Sequence, residues 1–419
     1  MTQILMKERV VRNRVTLPEP LVLSDLTYRR LGWKRWLHGV PELSLKSLSR
    51  ALLRMPFWRG RIIRLLCSRV AEISWAWFHD SKIALLGREQ AILYSERGDA
   101  SDSARRSVAL YIHYSPSGIV SEMVLRQLET YDSLGFEVVF ISNAPVRHYL
   151  SWRAVCRRSA WAVHRHNFGY DFGAWKDLMP LVQQRWPDAE EILLVNDSCL
   201  GPIRPLDGAL GAMRAGGDGV FGMQESLQGG SHLQSWFILA RGKSAITDIA
   251  AFLGRMKLSV SKWRTIQRGE LSLSKEMLKR GHRVRAIHSY SRLVTEALAD
   301  PGQCADLMTV LMDNAVVEND TTKREALEKL VLSRPLNPTH HLWRALLQSP
   351  YCSFIKTELV VKNPGNLPNV TELWKNAVPA DAPCPVDVLE AHLACFRNGL
   401  GGVETVEKNH MMLAGQRLV

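Results

Sequence analysis

A chain of 419 residues, 46% apolar and 23% charged, has the composition of a folded protein with a sizeable core, and its length fits two domains or one large domain with appendages. Its 54 Lys and Arg against 41 Asp and Glu leave a formal charge of +13, which favours anionic partners such as lipid head groups or nucleotide phosphates without choosing among them. Seven scattered cysteines without a CxxC pair argue against a disulfide framework or zinc module and fit a reducing cytosol, and no uncharged apolar run approaches the roughly 20 residues of a spanning helix.

Met1 to Leu23 carries polar and charged residues throughout and no signal-peptide core. From Arg29 to Arg69, eleven basic residues stand against one acid, Glu42, interleaved with Leu, Ile and Trp at helical spacing. Such basic amphipathic helices either lie in an anionic membrane interface or pack on the main domain with their cations solvated. Glu96 to Arg106 is polar and reads as a linker. Ser107 to Tyr114 and Glu137 to Asn143 are short apolar runs flanking a helical pattern over Val120 to Leu134, a strand, helix, strand unit. A right-handed crossover makes these strands parallel and brings His113, Tyr114 and Asn143 to one sheet edge, where ligands bind in open α/β folds.

The alternation continues with a strand at Trp161 to His164, a helix at Asp171 to Trp186 and a buried strand at Glu191 to Asn196. Strands at Gly219 to Met223 and Ser235 to Ala240 and helices at Ser244 to Met256 and Glu270 to Arg280 follow, then a Pro/Ala/Gly-rich tail from Pro379 with a short helix at Val386 to Phe396. The expected division is a basic helical appendage and linker over residues 1–105, an α/β domain over 106–375 and a tail over 376–419.

Four polar clusters fall where these strands end. His113-Tyr114-Ser115-Pro116-Ser117-Gly118 runs into a helix whose free N–H groups can receive phosphate, or is an ordinary turn and cap. Asn167, Gly169, Asp171 and Gly173 lie in a loop dense in glycine and aromatics; Asp171 caps the helix or meets a ribose or base, and the density favours a binding loop. Asn196-Asp197-Ser198 puts a carboxylate after an apolar strand, where it either holds a divalent cation against a diphosphate or forms a turn. Glu225 and Glu270, in the fourth cluster, are the available acids for taking a proton from an attacking hydroxyl.

The succession YIHYSPSG, VVFISN, HNFGYDFGAWKDL, ILLVNDSCLGP, HLQSWFILARG, GELSLSKEMLKRG and NPTHHLWRALLQSPYCSFIKTELVVKNP, in order over about Val108 to Val370, resembles the rhamnan synthesis protein F family. The resemblance implies a GT-A-like, Rossmann-type open and mostly parallel sheet flanked by helices. It also implies a glycosyltransferase that moves a sugar, at family level rhamnose from dTDP-rhamnose, to a lipid-linked glycan of a surface polysaccharide such as O-antigen or capsule. The alternative is a catalytically silent glycan-binding or assembly subunit of that pathway. By position, the resemblance puts Asn167, Gly169, Asp171 and Gly173 in the nucleotide-binding loop and Asn196-Asp197-Ser198 where GT-A enzymes show Asp-x-Asp. The first acid is here Asn196, so either Asp197 holds Mg2+ or Mn2+, or basic side chains such as Arg165 stabilise the diphosphate. The expected location is the cytoplasmic face of a membrane; no nucleic-acid module is recognised, and nucleic acid is not an expected partner.

Overall fold

The computed structural model describes residues 73–83, 85, 90–102, 104–311, 320–333 and 335–395; the basic segment Arg29–Arg69 lies outside them. Its framework is β1 (Ile92–Arg97), β2 (Ser107–His113), β3 (Phe136–Ser142), β4 (Trp161–Arg165), β5 (Glu191–Asn196), β7 (Gly219–Ser226), β9 (Phe237–Arg241) and β10 (Val284–His288), hydrogen-bonded in the order β1-β4-β3-β2-β5-β9-β7-β10. The short β8 (His232–Leu233) pairs with β7, and β6 (Cys199–Leu200) pairs with β11 (Ile355–Lys356) in a separate ribbon.

β2, β3 and β5 read as unbroken apolar runs because both faces of the sheet are covered. Period-two alternation divides each strand between two cores: Ala109, Tyr111, Val138, Phe140, Leu193 and Val195 face one, and Val108, Leu110, Val139, Ile141, Ile192 and Leu194 face the other. Helices Glu122–Ser133, Asp207–Ala215 and Tyr290–Ala299 close the first core, and helices Tyr170–Arg185, Lys243–Arg255 and Glu270–Lys279 close the second. Each large side chain buried this way, Trp175 and Phe140 among them, stabilises the fold by roughly 1.5–3 kcal/mol.

The expected α/β sheet flanked by helices is present, but it is mixed. β2, β3, β4 and β5 are mutually parallel, whereas β9 runs antiparallel to both β5 and β7, and β10 returns parallel to β7. Glu96, where the sequence suggested a linker, belongs to β1, which pairs antiparallel with β4, so the sheet extends into the stretch read as an appendage. Residues 386–395 form the helix expected in the tail, with Leu389 and Leu393 in the first core and His392 Nδ1 2.7 Å from Ser121 Oγ.

Candidate functional site

The parallel strands deliver their last residues to one edge, and the most acidic point of that edge is the end of β5. The Asp197 carboxylate accepts the Tyr114 backbone N–H at 2.8 Å, and Asp197 N–H donates to the Ile112 carbonyl at 3.0 Å, so the turn after β5 is tied to the end of β2. Asn196 Nδ2 donates to Asp171 Oδ2 at 2.7 Å, while Asn196 Oδ1 accepts from Ser198 N–H at 3.1 Å and from Ser198 Oγ at 2.5 Å. Lys356, brought in by the β6–β11 ribbon, donates from Nζ to Ser198 Oγ at 2.7 Å. Asp171, Asn196, Asp197 and Ser198 therefore meet, joined by Lys356, which lies in the last motif of the resemblance but to which the sequence assigned no role.

Burial raises the pKa of Asp197 to about 7, with repulsion from Asp171 adding to the rise and the Tyr114 N–H and the Lys356 ammonium opposing it. Asp171 is also raised, again chiefly by burial, against the attraction of Lys262 and Lys356. Two neighbouring carboxyls that resist ionising together, faced by two lysines, form a cluster that is neutral when both are ionised and net positive when one holds its proton, which suits an anionic ligand such as a phosphate.

Glu270 lies close enough to raise the Asp171 pKa, but its own oxygens are engaged. Oε2 accepts the Ser235 N–H at 3.1 Å and the Ser235 hydroxyl in a very short bond, and Oε1 lies 3.3 Å from His232 Nε2. Burial would raise this carboxyl, yet the His232 and Ser235 bonds prevail and hold it at about 2, which makes Glu270 a weak proton acceptor at neutral pH.

Several residues expected at the ligand edge are turned elsewhere. Glu225 is buried with Oε1 accepting from Ser231 Oγ at 2.7 Å and Oε2 accepting the Tyr290 N–H at 3.0 Å, so it anchors the start of helix Tyr290–Ala299 rather than facing an acceptor hydroxyl. His113 is buried against Phe140, with Nδ1 3.4 Å from Ser142 Oγ, and burial lowers its pKa to about 3. Asn143 Oδ1 accepts from Arg165 Nη1 at 2.8 Å.

Arg165 itself is fully buried, its Nη2 donating to Asp177 at 2.8 Å and to the Phe168 carbonyl at 2.8 Å, so it is a brace inside the fold and does not reach a diphosphate. Gly173 is required by the same brace: a Cβ there would stand 2.0 Å from the Phe168 carbonyl oxygen and 3.2 Å from Arg165 Nη2. Its close approach is to its own chain. Gly169, at φ +77°, provides the left-handed turn into helix Tyr170–Arg185, a conformation that side chains disfavour. Asn167 is exposed on that loop, and Tyr114 contributes its backbone to the cluster.

Among the described residues, no group of three or more His, Cys, Asp or Glu is arranged to hold a metal ion, and no helix is long and apolar enough to cross a membrane. Asp171 and Asp197 nonetheless fit the habit of Mg2+, which is commonly held by one or two carboxylates together with substrate phosphates.

Residues 138–318 match the family model described as rhamnan synthesis protein F, a narrower span than the sequence motifs suggested, including Asp171, Asp197 and Glu270 but not Lys356. The chain is 25% identical over 217 residues to an uncharacterized protein, y4gN, of Sinorhizobium fredii, covering 49% of this chain and 56% of that protein. It is 26% identical over 226 residues to the virulence protein VirA of Vibrio anguillarum, covering 53% of this chain and 68% of that protein. The chain thus spans little more than half the length of the first of these relatives and about two thirds of the second. No solved structure matches.

Proposed function

From a chain whose residues 138–318 match the rhamnan synthesis protein F family, we propose a glycosyltransferase that moves a sugar from a nucleotide-sugar donor to a lipid-linked glycan of a bacterial surface polysaccharide, on a GT-A-like sheet. dTDP-rhamnose is the family-level donor. The observation that carries the reading is the cluster of Asp171, Asp197 and Lys356 at the carboxyl edge of the parallel strands, where a nucleotide's diphosphate lies in open α/β folds. In this reading Lys356 and Lys262 attract the diphosphate, and the Asn196–Asp171 bond fixes the orientation of the Asp171 carboxylate. Asp197 and Asp171 would hold Mg2+ or Mn2+, which when bound neutralises charge on the leaving diphosphate.

Incubating the protein with dTDP-rhamnose, UDP-glucose and GDP-mannose and measuring released nucleoside diphosphate tests this. Release above the protein-free rate is expected with one donor. Asn196, in place of a first acid, favours one alternative, a glycan-binding or assembly subunit; tight nucleotide-sugar binding without release, with or without an added glycan acceptor, selects it.

A surface feature of the same edge supports a location at the membrane. In the turn after β3, residues 145–150 are all exposed, with Tyr149 65% and Leu150 70% accessible, and Val146 packs beside the turn after β2 that exposes Ile119. Leu93 and Tyr94 are exposed on β1, and the Arg147 guanidinium sits 3.7 Å over the Tyr94 ring. Apolar tips beside Arg147, His148 and Arg153 have the chemistry of a surface that rests on anionic lipid, and we assign this face to the cytoplasmic membrane surface. Replacing Val146, Tyr149 and Leu150 together by Ser is expected to lower co-flotation with phosphatidylglycerol-containing vesicles severalfold. Equal flotation of variant and parent removes the assignment.

A further inference from the structure

A helix over residues 73–83, continuing at Leu85, packs on the domain by a narrow stripe. Ile73, Ala76, Asp80 and Ile83 recur there at three- and four-residue spacing, and Ala76 is fully buried. Asp80 fixes the docking: Oδ1 accepts the Val260 N–H at 3.1 Å, and Oδ2 accepts from Arg264 Nη1 at 2.8 Å. The larger apolar groups stand on the other face. Trp77, Phe78 and Leu85 are 65%, 62% and 85% exposed, beside Ser74, Ser81 and Lys82. An amphipathic helix packed in water turns its large apolar residues to the core, whereas this one turns them away. Single exposed apolar residues need no explanation, but three on one helical face mark a contact surface.

Tryptophan and phenylalanine flanked by serine and lysine suit the boundary between lipid head groups and acyl chains. The stretch Arg29–Arg69, ending four residues before the helix, sets eleven basic residues against one acid, a charge that attracts an anionic surface and repels a second copy of this chain. The position agrees. Val260, held by Asp80, accepts the Tyr170 hydroxyl at its carbonyl at 3.1 Å, and Tyr170 precedes Asp171 at the carboxyl edge of the parallel strands. The helix therefore stands on the edge that also carries the candidate site and the exposed turn after β3. We propose that the face of Trp77, Phe78 and Leu85 rests in an anionic bilayer interface and, together with the turn after β3, turns the site edge toward the membrane. This second contact rests on the membrane location proposed above, but it uses other residues and is tested apart from it.

Trp77→Gln combined with Phe78→Gln keeps good helix formers and removes only outward side chains, so the variant is expected to melt at the parental temperature. Its co-flotation with phosphatidylglycerol-containing vesicles should fall about tenfold, and the parent should float far less on pure phosphatidylcholine. Parental flotation of this variant, or equal flotation of the parent on both lipids, overturns the proposal. Flotation lost only when Val146, Tyr149 and Leu150 are replaced leaves the turn after β3 as the membrane contact and removes the helix. A melting temperature several degrees below the parent shows these side chains covered by this chain itself and overturns the proposal. So does a parental dimer, seen by light scattering without lipid, that the variant fails to form. Hydrogen exchange of the parent reads the helix without any substitution: slower exchange over residues 73–83 on adding anionic vesicles is expected, and unchanged exchange overturns the contact. A parent that floats on neither lipid removes both membrane contacts and leaves the transferase reading to its donor-release assay.

Discussion

Asp197→Asn is expected to leave the sheet intact and to lower sugar transfer by about 10²-fold or more, the usual loss when one electrostatic stabiliser is removed. The amide keeps the size of the side chain and can still accept the Tyr114 N–H, but it carries no charge toward a diphosphate or cation. Stability should move the other way. The folded pKa of Asp197, about 7, lies above the ordinary 3.8, so as pH rises the unfolded chain gives up this proton first. Between about pH 4 and 7 the folded state therefore holds more protons than the unfolded state, and stability is lost across that window as pH rises. Asp197→Asn removes this contribution. Urea unfolding at pH 8 should find the variant more stable than the parent by on the order of 1–3 kcal/mol, with no gain near pH 4. Asp171, shifted in the same direction, leaves part of the slope in place. Parental turnover in the variant, with or without magnesium or manganese, overturns the role given to Asp197.

The largest stability effect is expected at Arg165. Its guanidinium joins the end of β4 to the Asn143 side chain after β3, to the Phe168 carbonyl in the following loop and to Asp177 in helix Tyr170–Arg185. Arg165→Met leaves the Asp177 carboxylate in a mostly buried site without its cation, and breaking a buried pair by removing one partner costs about 3–5 kcal/mol. Asp177→Leu added to Arg165→Met should recover part of that loss, because the stranded charge goes with it. The reading of Arg165 as a diphosphate ligand makes the opposite forecast, normal urea stability with weakened nucleotide binding, so one titration and one unfolding curve decide between them.

That division between Asp197 and Arg165 shows where a linear reading stops. β2, β3 and β5 are legible as strands because continuous runs of Val, Ile, Leu and Phe with polar ends have few alternatives once both faces are covered. The loop-to-helix turn at Gly169 is legible for the same local reason, since few residues other than glycine take a left-handed φ cheaply. With the handedness of the crossover, these runs suffice to bring Asp171 and Asp197 to one edge. The exposed strand β1 and the five-residue β10 carry too weak a pattern to be found alone; pairing with β4 and β7 makes them strands. Nor does a residue's type say which way it turns. Glu225 and Glu270 are equally plausible bases on paper, and packing gives one to the backbone of a helix and the other to His232 and Ser235. Lys356 lies 158 residues beyond Ser198, in a motif of the resemblance whose chemistry gave it no role, and only the β6–β11 ribbon brings its ammonium to Ser198 beside the carboxylates. Local sequence determined the strands, the turns and the edge where charge collects, because those depend on neighbours a few residues apart. The tertiary structure decided which charges meet there, because a side chain's partner is set by what burial leaves unpaired.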